Sequence, residues 1–298
     1  MATDLAPPTF VHGLVGGALL GFLGYLGGLV LLVGAAVRAV VRPAAGAPPL
    51  RTGLMAQWEW LFGAGLPLVA LVHIGLGSFL AMQAYYGATF VEGAGPVVGV
   101  GLCRNVAPLM AGMTMAGLLA GRITWELTQR AHDQLDRERG WAPDRTVTVS
   151  LSQDAAPPSR PPIDPGRLTA VRVIAATVAG PILGIWGTVV GTTVGWLIAL
   201  ELLGVPTPIF FEKAFEMLWA RDVVGVVTKG TTFGAVAALL ACFEGLRTPA
   251  DPQTLPNRAA RAAYLSALVI LLINGSWYLL MYMAGPAFGP TVLQPPVP

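Results

Sequence analysis

The sequence predicts an all-α integral membrane protein with five transmembrane helices and one further apolar helix at the N-terminus. Of its 298 residues, 54% are hydrophobic and only 11% are charged, and the mean hydropathy is +0.66. That composition is too apolar for a single soluble core. The apolar runs lack the alternation of barrel strands, so the backbone can cross lipid only as helices.

Six runs come close to the roughly 20 residues that a helical span requires. They are residues 14–41, 66–86, 97–127, 171–203, 223–243 and 264–284. The first run leaves two interpretations open. Its hydropathy favours spanning, whereas a glycine-rich apolar helix of this kind can also lie along the inner leaflet.

The distribution of arginine predicts the orientation of the spans. Eight arginines lie between residues 122 and 172, whereas residues 87–96 and the chain after residue 284 contain no Lys or Arg. Because cytoplasmic connections are enriched in these residues, the first segment lies inside and the other two outside. Five spans that begin on the cytoplasmic side at Arg51 satisfy every connection. Residues 204–222 then form an outside loop with a short amphipathic helix.

The chain divides into three parts on this basis. Residues 1–60 hold the N-terminal interfacial helix and a cytoplasmic connection. Residues 61–290 form the main membrane domain, with a charged cytoplasmic segment and a polar inserted loop at 128–170. Residues 291–298 form an external tail. The inserted part of the loop, residues 141–162, is either a plain connection or holds a short strand around Val149.

Several classes of function are disfavoured by composition and motifs. A net charge of +2 without a basic stripe argues against nucleic acid. Neither a phosphate-binding loop nor an HExxH motif is present, so we predict no catalytic residue, no metal site and no cofactor in this chain. Cys103 and Cys242 both fall in apolar runs and are interpreted as packing residues.

Polar residues inside the spans are the candidates for function. Arg104 and Arg122 are five helical turns apart, roughly 27 Å along one face, so both can snorkel to the two boundaries, and Arg122 can pair with Glu126 one turn further on. Alternatively, Arg104 and Asn105 line a polar cavity. Pro108 leaves the carbonyl of Arg104 without its helical donor. Lys229 lies roughly 10 Å inside its span with no acid one turn away, which leaves snorkelling and a role in a transport path equally open.

Small residues and a charged extension complete the pattern. Gly187, Gly191 and Gly195, like the pairs 95/99 and 117/121, have the spacing of closely packed membrane helices.

The segment 126–140 reads as a helix with an apolar stripe at Leu127, Ala131 and Leu135. Such a stripe with a charged surround suits insertion into a groove on a partner.

Six segments in order carry a resemblance to a known family. They are SFLAMQAYY, RNVAPLMAGMTMAG, WEL, IDPGRLTAVRVIAA, TKGTTFG and CFEGL. Over residues 58–284 the chain resembles the MlaE/YrbE permeases, the membrane subunits of lipid-moving ABC transporters that work with MCE-domain proteins. The resemblance implies five spans, an N-terminal helix in the inner leaflet of a bacterial inner membrane, and an external C-terminus.

The resemblance also implies partners and sites. The expected partners are a cytoplasmic ATPase that binds ATP and Mg, a second permease copy or a related permease chain, an MCE-domain protein and membrane lipids. The candidates for the substrate path are Arg104, Asn105, Lys229, Asn274 and Gln83. The candidates for ATPase coupling are Glu126, Leu127, Ala131, Asp133, Gln134, Leu135 and Asp164. Asn105 and Asn274 stand where the family commonly has acids.

Three functions are therefore weighed. The first is a non-enzymatic permease subunit that moves a phospholipid or another amphiphile. The second is an ion- or proton-coupled carrier, which the absence of Asp or Glu at mid-membrane disfavours. The third is a structural scaffold in a larger membrane complex.

Overall fold

The computed structural model describes residues 9–43, 49–87, 94–138, 164–247 and 255–283, and every regular element within them is helical. The α-helices are α1 Thr9–Val41, α2 Leu50–Gly87, α3 Ala107–Glu138, α4 Pro165–Glu201, α5 Thr207–Met217, α6 Ala220–Leu246 and α7 Leu255–Tyr278. Two π-helical turns, Pro96–Val100 and Leu102–Val106, lead into α3, and a third, Leu279–Met283, follows α7. The predicted all-α membrane fold is confirmed. Both the inserted loop 141–162 and the external tail lie outside the described residues.

Long-range contacts fix the directions of the central helices. α2 and α4 run parallel, since Gly53 packs against Val171 near one end and Gly77 against Gly191 near the other. The indole of Trp58 joins them near the first of these ends by donating to the carbonyl of Ala175 at 3.0 Å. α3 and α6 run the opposite way. Glu126, past the middle of α3, bonds to Arg172 near the start of α4, and α6 packs antiparallel to α4 through the contacts of Gly230 with Gly180 and of Gly234 with Ala176. Helix ends therefore alternate sides as the five-span orientation requires.

The N-terminal helix crosses the ends of its neighbours. Gly28 of α1 packs against the ring of Phe243, near the last turn of α6, and Ala35 packs against Gly166 in the first turn of α4. Both helix ends belong to the side that arginine assigns to the cytoplasm. Because contacts about 10 Å apart along α1 lie at one depth, this part of α1 runs along the membrane plane. Its length and composition alone would equally allow it to span.

Glycine allows close helix contact, but only at some of the predicted positions. Gly187 faces the ring of His73 and Gly195 faces Val98, so the α4 ridge packs tightly as predicted. Gly95 packs against the backbone of α5. Gly117 and Gly121, by contrast, have open space where a side chain would be, so the prediction is wrong for these two within the described part of the chain. Their spacing matches the motif, but their face of α3 meets no neighbouring helix.

Candidate functional site

A buried ion pair joins the π-helical turn that leads into α3 to the external end of α6. The Arg104 guanidinium donates to both carboxylate oxygens of Asp222 at 2.9 Å, and also to the carbonyl of Met217 at 3.3 Å. The Asp222 side chain is fully buried and that of Arg104 is 16% exposed. Asp222 additionally accepts from the backbone N–H of Trp219 at 3.0 Å, which caps the first turn of α6. Two parallel charge-assisted bonds fix the guanidinium rigidly.

Lys229 lies about two turns deeper on α6 and bonds back to α3. Its Nζ donates to the carbonyl of Arg104 at 3.1 Å and to Oδ1 of Asn105 at 3.3 Å. The carbonyl is the one that Pro108 leaves without a helical donor, as the sequence predicted. The π-helical turn before α3 belongs to the same local departure from α-helical bonding. We call Arg104, Asn105, Asp222 and Lys229 the polar cluster.

The polar cluster corrects two interpretations of the sequence. Lys229 is 1% exposed and Arg104 is held by Asp222, so neither side chain snorkels to a boundary. Asp222, which was placed in an outside loop, is a buried residue of α6. Hydropathy began this span after Asp222 because it scores every carboxylate as an unpaired charge. A carboxylate that is paired with a cation can lie inside a membrane helix. Asp222 is the cluster residue that sequence reasoning missed.

Two other candidates for the substrate path lie apart from this cluster. Asn274 is buried in α7, and no described hydrogen bond connects it to Lys229. Gln83 is exposed near the external end of α2. His73, which is buried in α2, donates from its Nδ1–H to the carbonyl of Val69 in the same helix at 2.7 Å.

A second network holds the cytoplasmic ends of α3 and α4 together. Glu126 accepts from Arg122 at 2.6 Å and from Arg172 at 2.6 Å. The pairing of Arg122 with Glu126 was predicted from their spacing, and Arg122 also lies over the ring of Trp60 at 4.4 Å. Arg172, which is 3% exposed, was not predicted, because it comes 46 residues after Glu126.

A third cluster of charged residues joins the cytoplasmic ends of α6 and α7. Glu244 is fully buried and pairs with Arg258 at 3.2 Å and Arg261 at 3.3 Å. Arg247 and Arg261 also lie over the ring of Tyr25 in α1. The interfacial helix is thus attached to the charged ends of α6 and α7. Sequence reasoning had used these arginines only to assign orientation.

The coupling candidates lie on one continuous helix and at the start of another. α3 runs without interruption from the membrane through Glu138. Leu127 is buried beside Glu126, and Asp164 caps α4 by accepting from the N–H of Arg167 at 3.2 Å. Ala131, Asp133, Gln134 and Leu135 lie on the extension of α3, and their side chains are outside the described set.

Six helices long and apolar enough to cross a membrane, with buried ion pairs between them, define a multi-pass inner-membrane protein. A model of the family Permease MlaE matches residues 54–143 and 162–280, so the chain belongs to the MlaE permease family, whose relatives described next are ABC transporter permeases. The gap between the matched segments coincides with the inserted loop.

Relatives from several organisms agree with this membership. A probable ABC transporter permease of Rickettsia typhi is 26% identical over 268 residues, which cover 89% of this chain and 95% of that protein. A probable ABC transporter permease of Synechocystis is 29% identical, over 74% of this chain and 80% of the relative. The intermembrane phospholipid transport system permease protein MlaE of Haemophilus influenzae is 22% identical, over 78% and 84%.

Proposed function

We propose that this chain is the permease subunit of a lipid-moving ABC transporter, in which the polar cluster contacts the lipid head group. The observation that supports the proposal most is Lys229, a buried cation held on the main chain of α3. A buried charge inside a membrane helix bundle is costly and generally functional. The cluster combines two cationic side chains with one carboxylate, which suits an anionic or polar head group. The name of the Haemophilus influenzae relative supports phospholipid as the class of substrate.

Partners follow from the same proposal. A cytoplasmic ATPase supplies the work, a second permease copy or a related chain completes the membrane unit, and an MCE-domain protein exchanges lipid with it. The carrier alternative is disfavoured because no Asp or Glu was expected at mid-membrane. Asp222 lies in the first turn of α6, near its external end, and its bidentate bonds to Arg104 give it a fixed structural partner. A protonophore should therefore leave ATP-driven transport unchanged.

Lys229→Met tests the head-group contact. The purified transporter is reconstituted into vesicles that contain fluorescent phosphatidylglycerol or phosphatidylethanolamine, and ATP-dependent lipid transfer is measured. We expect the variant to assemble with its ATPase but to transport at least about tenfold more slowly, the cost of one hydrogen bond to a charged group. The matched control is Lys213→Met, since Lys213 is the only other lysine and forms a surface pair with Glu216 on α5. Normal transport by Lys229→Met would contradict the role of the cluster.

The extension of α3 is proposed as the element on which the ATPase acts. It is continuous with the membrane part of α3, and the Glu126 network clamps its base to α4 through Arg172. A force applied to the extension would therefore reach both helices. Its apolar stripe is the expected contact with a groove on the ATPase.

Leu135→Asp tests this coupling. A buried leucine at such an interface contributes about 1 to 3 kcal/mol, so its loss should weaken ATPase association by about fivefold or more. We expect less ATPase to co-purify and ATP-driven lipid transfer to stop. Leu151→Asp, the same change in the inserted loop, should do neither. Intact ATPase binding by Leu135→Asp would move the coupling element elsewhere, with the loop after α6 as the first alternative.

A further inference from the structure

A lateral cavity opens between α4 and α5, beside the polar cluster. Its volume is about 300 Å³, at the lower end of the range for small-molecule pockets. Gly99 and Cys103, from the π-helical entry to α3, form its inner wall, while Thr188 and Thr192 of α4 and Phe211 and Phe215 of α5 form its sides.

The surface that the lining residues expose to the cavity is mainly apolar. The hydroxyl of Thr188 donates to the carbonyl of Gly184 at 2.9 Å, and that of Thr193 to the carbonyl of Val189 at 2.8 Å. Both hydroxyls are thus satisfied within α4, and no charged side chain lines the cavity. An occupant of this cavity therefore needs mainly apolar surface.

The mouth faces the bilayer. Val189 is 52% exposed and Phe215 is 67% exposed, and both line the cavity. α4 is a membrane-spanning helix at this level, so its exposed apolar side chains meet lipid. The molecule with access to this opening is a membrane lipid, and the part that fits an apolar cavity is its acyl chain.

Two residues that line the cavity adjoin the polar cluster along the chain. Cys103 precedes Arg104, and Leu218 follows Met217, whose carbonyl accepts from Arg104. We propose that the cavity binds one acyl chain of a phospholipid whose head group lies at the polar cluster. The identity of that lipid as a transported molecule rests on the proposed function. Entry from the side of α4 and α5 would let a lipid reach the cluster directly from the bilayer.

Photolabelling tests the occupant. The transporter is placed in phosphatidylethanolamine vesicles with phosphatidylglycerol that carries a diazirine near the end of one acyl chain, illuminated, and mapped by mass spectrometry. We expect adducts concentrated on residues 188–193 and 211–218. Thr192→Trp, which fills the cavity, should reduce them about tenfold, the factor that corresponds to excluding about two methylene groups. Val189→Trp places the same bulk at an exposed position at the mouth and should also reduce the adducts. It replaces Thr192→Trp in the test if that variant does not fold.

The controls separate this inference from the proposed function. Val224→Trp makes the same change on the exposed face of α6 and should leave the adducts unchanged. Lys229→Met should keep the cavity adducts even where transport is lost, because the chain and the head group are held by different residues. Labelling spread evenly over the lipid-facing helices, and unaffected by Thr192→Trp and Val189→Trp, would overturn the cavity assignment. Such a result would leave the outcome of the Lys229→Met transport assay standing.

Discussion

Asp222→Asn should lower the free energy of unfolding by about 3 to 5 kcal/mol, the usual cost of leaving one partner of a buried ion pair uncompensated. Asp222 is fully buried, and both of its oxygens accept from Arg104. The variant can keep some hydrogen bonds but cannot balance the guanidinium charge. The measurement is equilibrium unfolding in mixed detergent micelles with increasing sodium dodecyl sulfate.

Two further variants make that prediction specific. Glu216→Gln breaks an exposed pair with Lys213 on α5 and should change stability by under about 1 kcal/mol. The double variant Arg104→Leu with Asp222→Leu removes both charges and should recover a large part of the lost stability, because no charge is left unpaired. Its lipid transfer should stay impaired if Arg104 contacts the head group. Equal stability of Asp222→Asn and the parent would show that the pair contributes little to the fold.

Gly180→Ala should be among the most damaging single-methyl changes in the described bundle. A methyl group at Gly180 of α4 would overlap the carbonyl oxygen of Gly230 in α6, and one at Gly234 would overlap the carbonyl of Ala176. The two backbones are therefore in contact over this stretch. Overpacking of this kind costs about 1 to 3 kcal/mol. Separation of the helices would also shift Lys229, the neighbour of Gly230, away from the carbonyl of Arg104.

Gly75→Ala is the matched control for that substitution. Gly75 lies inside α2 with nothing near its missing side chain. Alanine there should be neutral or should stabilise by up to about 1 kcal/mol, since Ala is the better helix former. Both variants are compared by unfolding free energy and by lipid transfer. The unfolding free energy should fall for Gly180→Ala and stay unchanged or rise for Gly75→Ala, and only Gly180→Ala should reduce lipid transfer. Tolerance of Gly180→Ala in both assays would contradict the close α4–α6 contact.

Local patterns were enough to predict features that depend on neighbouring residues. The pairing of Arg122 with Glu126 follows from their position one turn apart on a helix. The free carbonyl of Arg104 follows from Pro108 four residues later. Each prediction needs only the geometry of one helix.

Spacing alone failed where the contact lies on another helix. Gly117 and Gly121 have the same motif as Gly187 and Gly191, yet only the second pair meets a neighbour. A glycine motif indicates that another helix can approach closely at that position, whereas the arrangement of the helices decides whether one does. Asp222 was missed for the same reason, because its partner is 118 residues away.

The sequence by itself determined that this protein is a bundle of membrane helices and where cations enter the spans, and it predicts which helix ends face the cytoplasm. Composition and arginine distribution suffice for this, because lipid acts on every residue according to its polarity. Only the tertiary structure decided that α1 crosses the ends of α4 and α6, that Arg104 pairs with Asp222, and that Lys229 turns towards α3. These depend on which helix faces are adjacent, and hydropathy carries no information about adjacency once every helix is apolar on most of its surface.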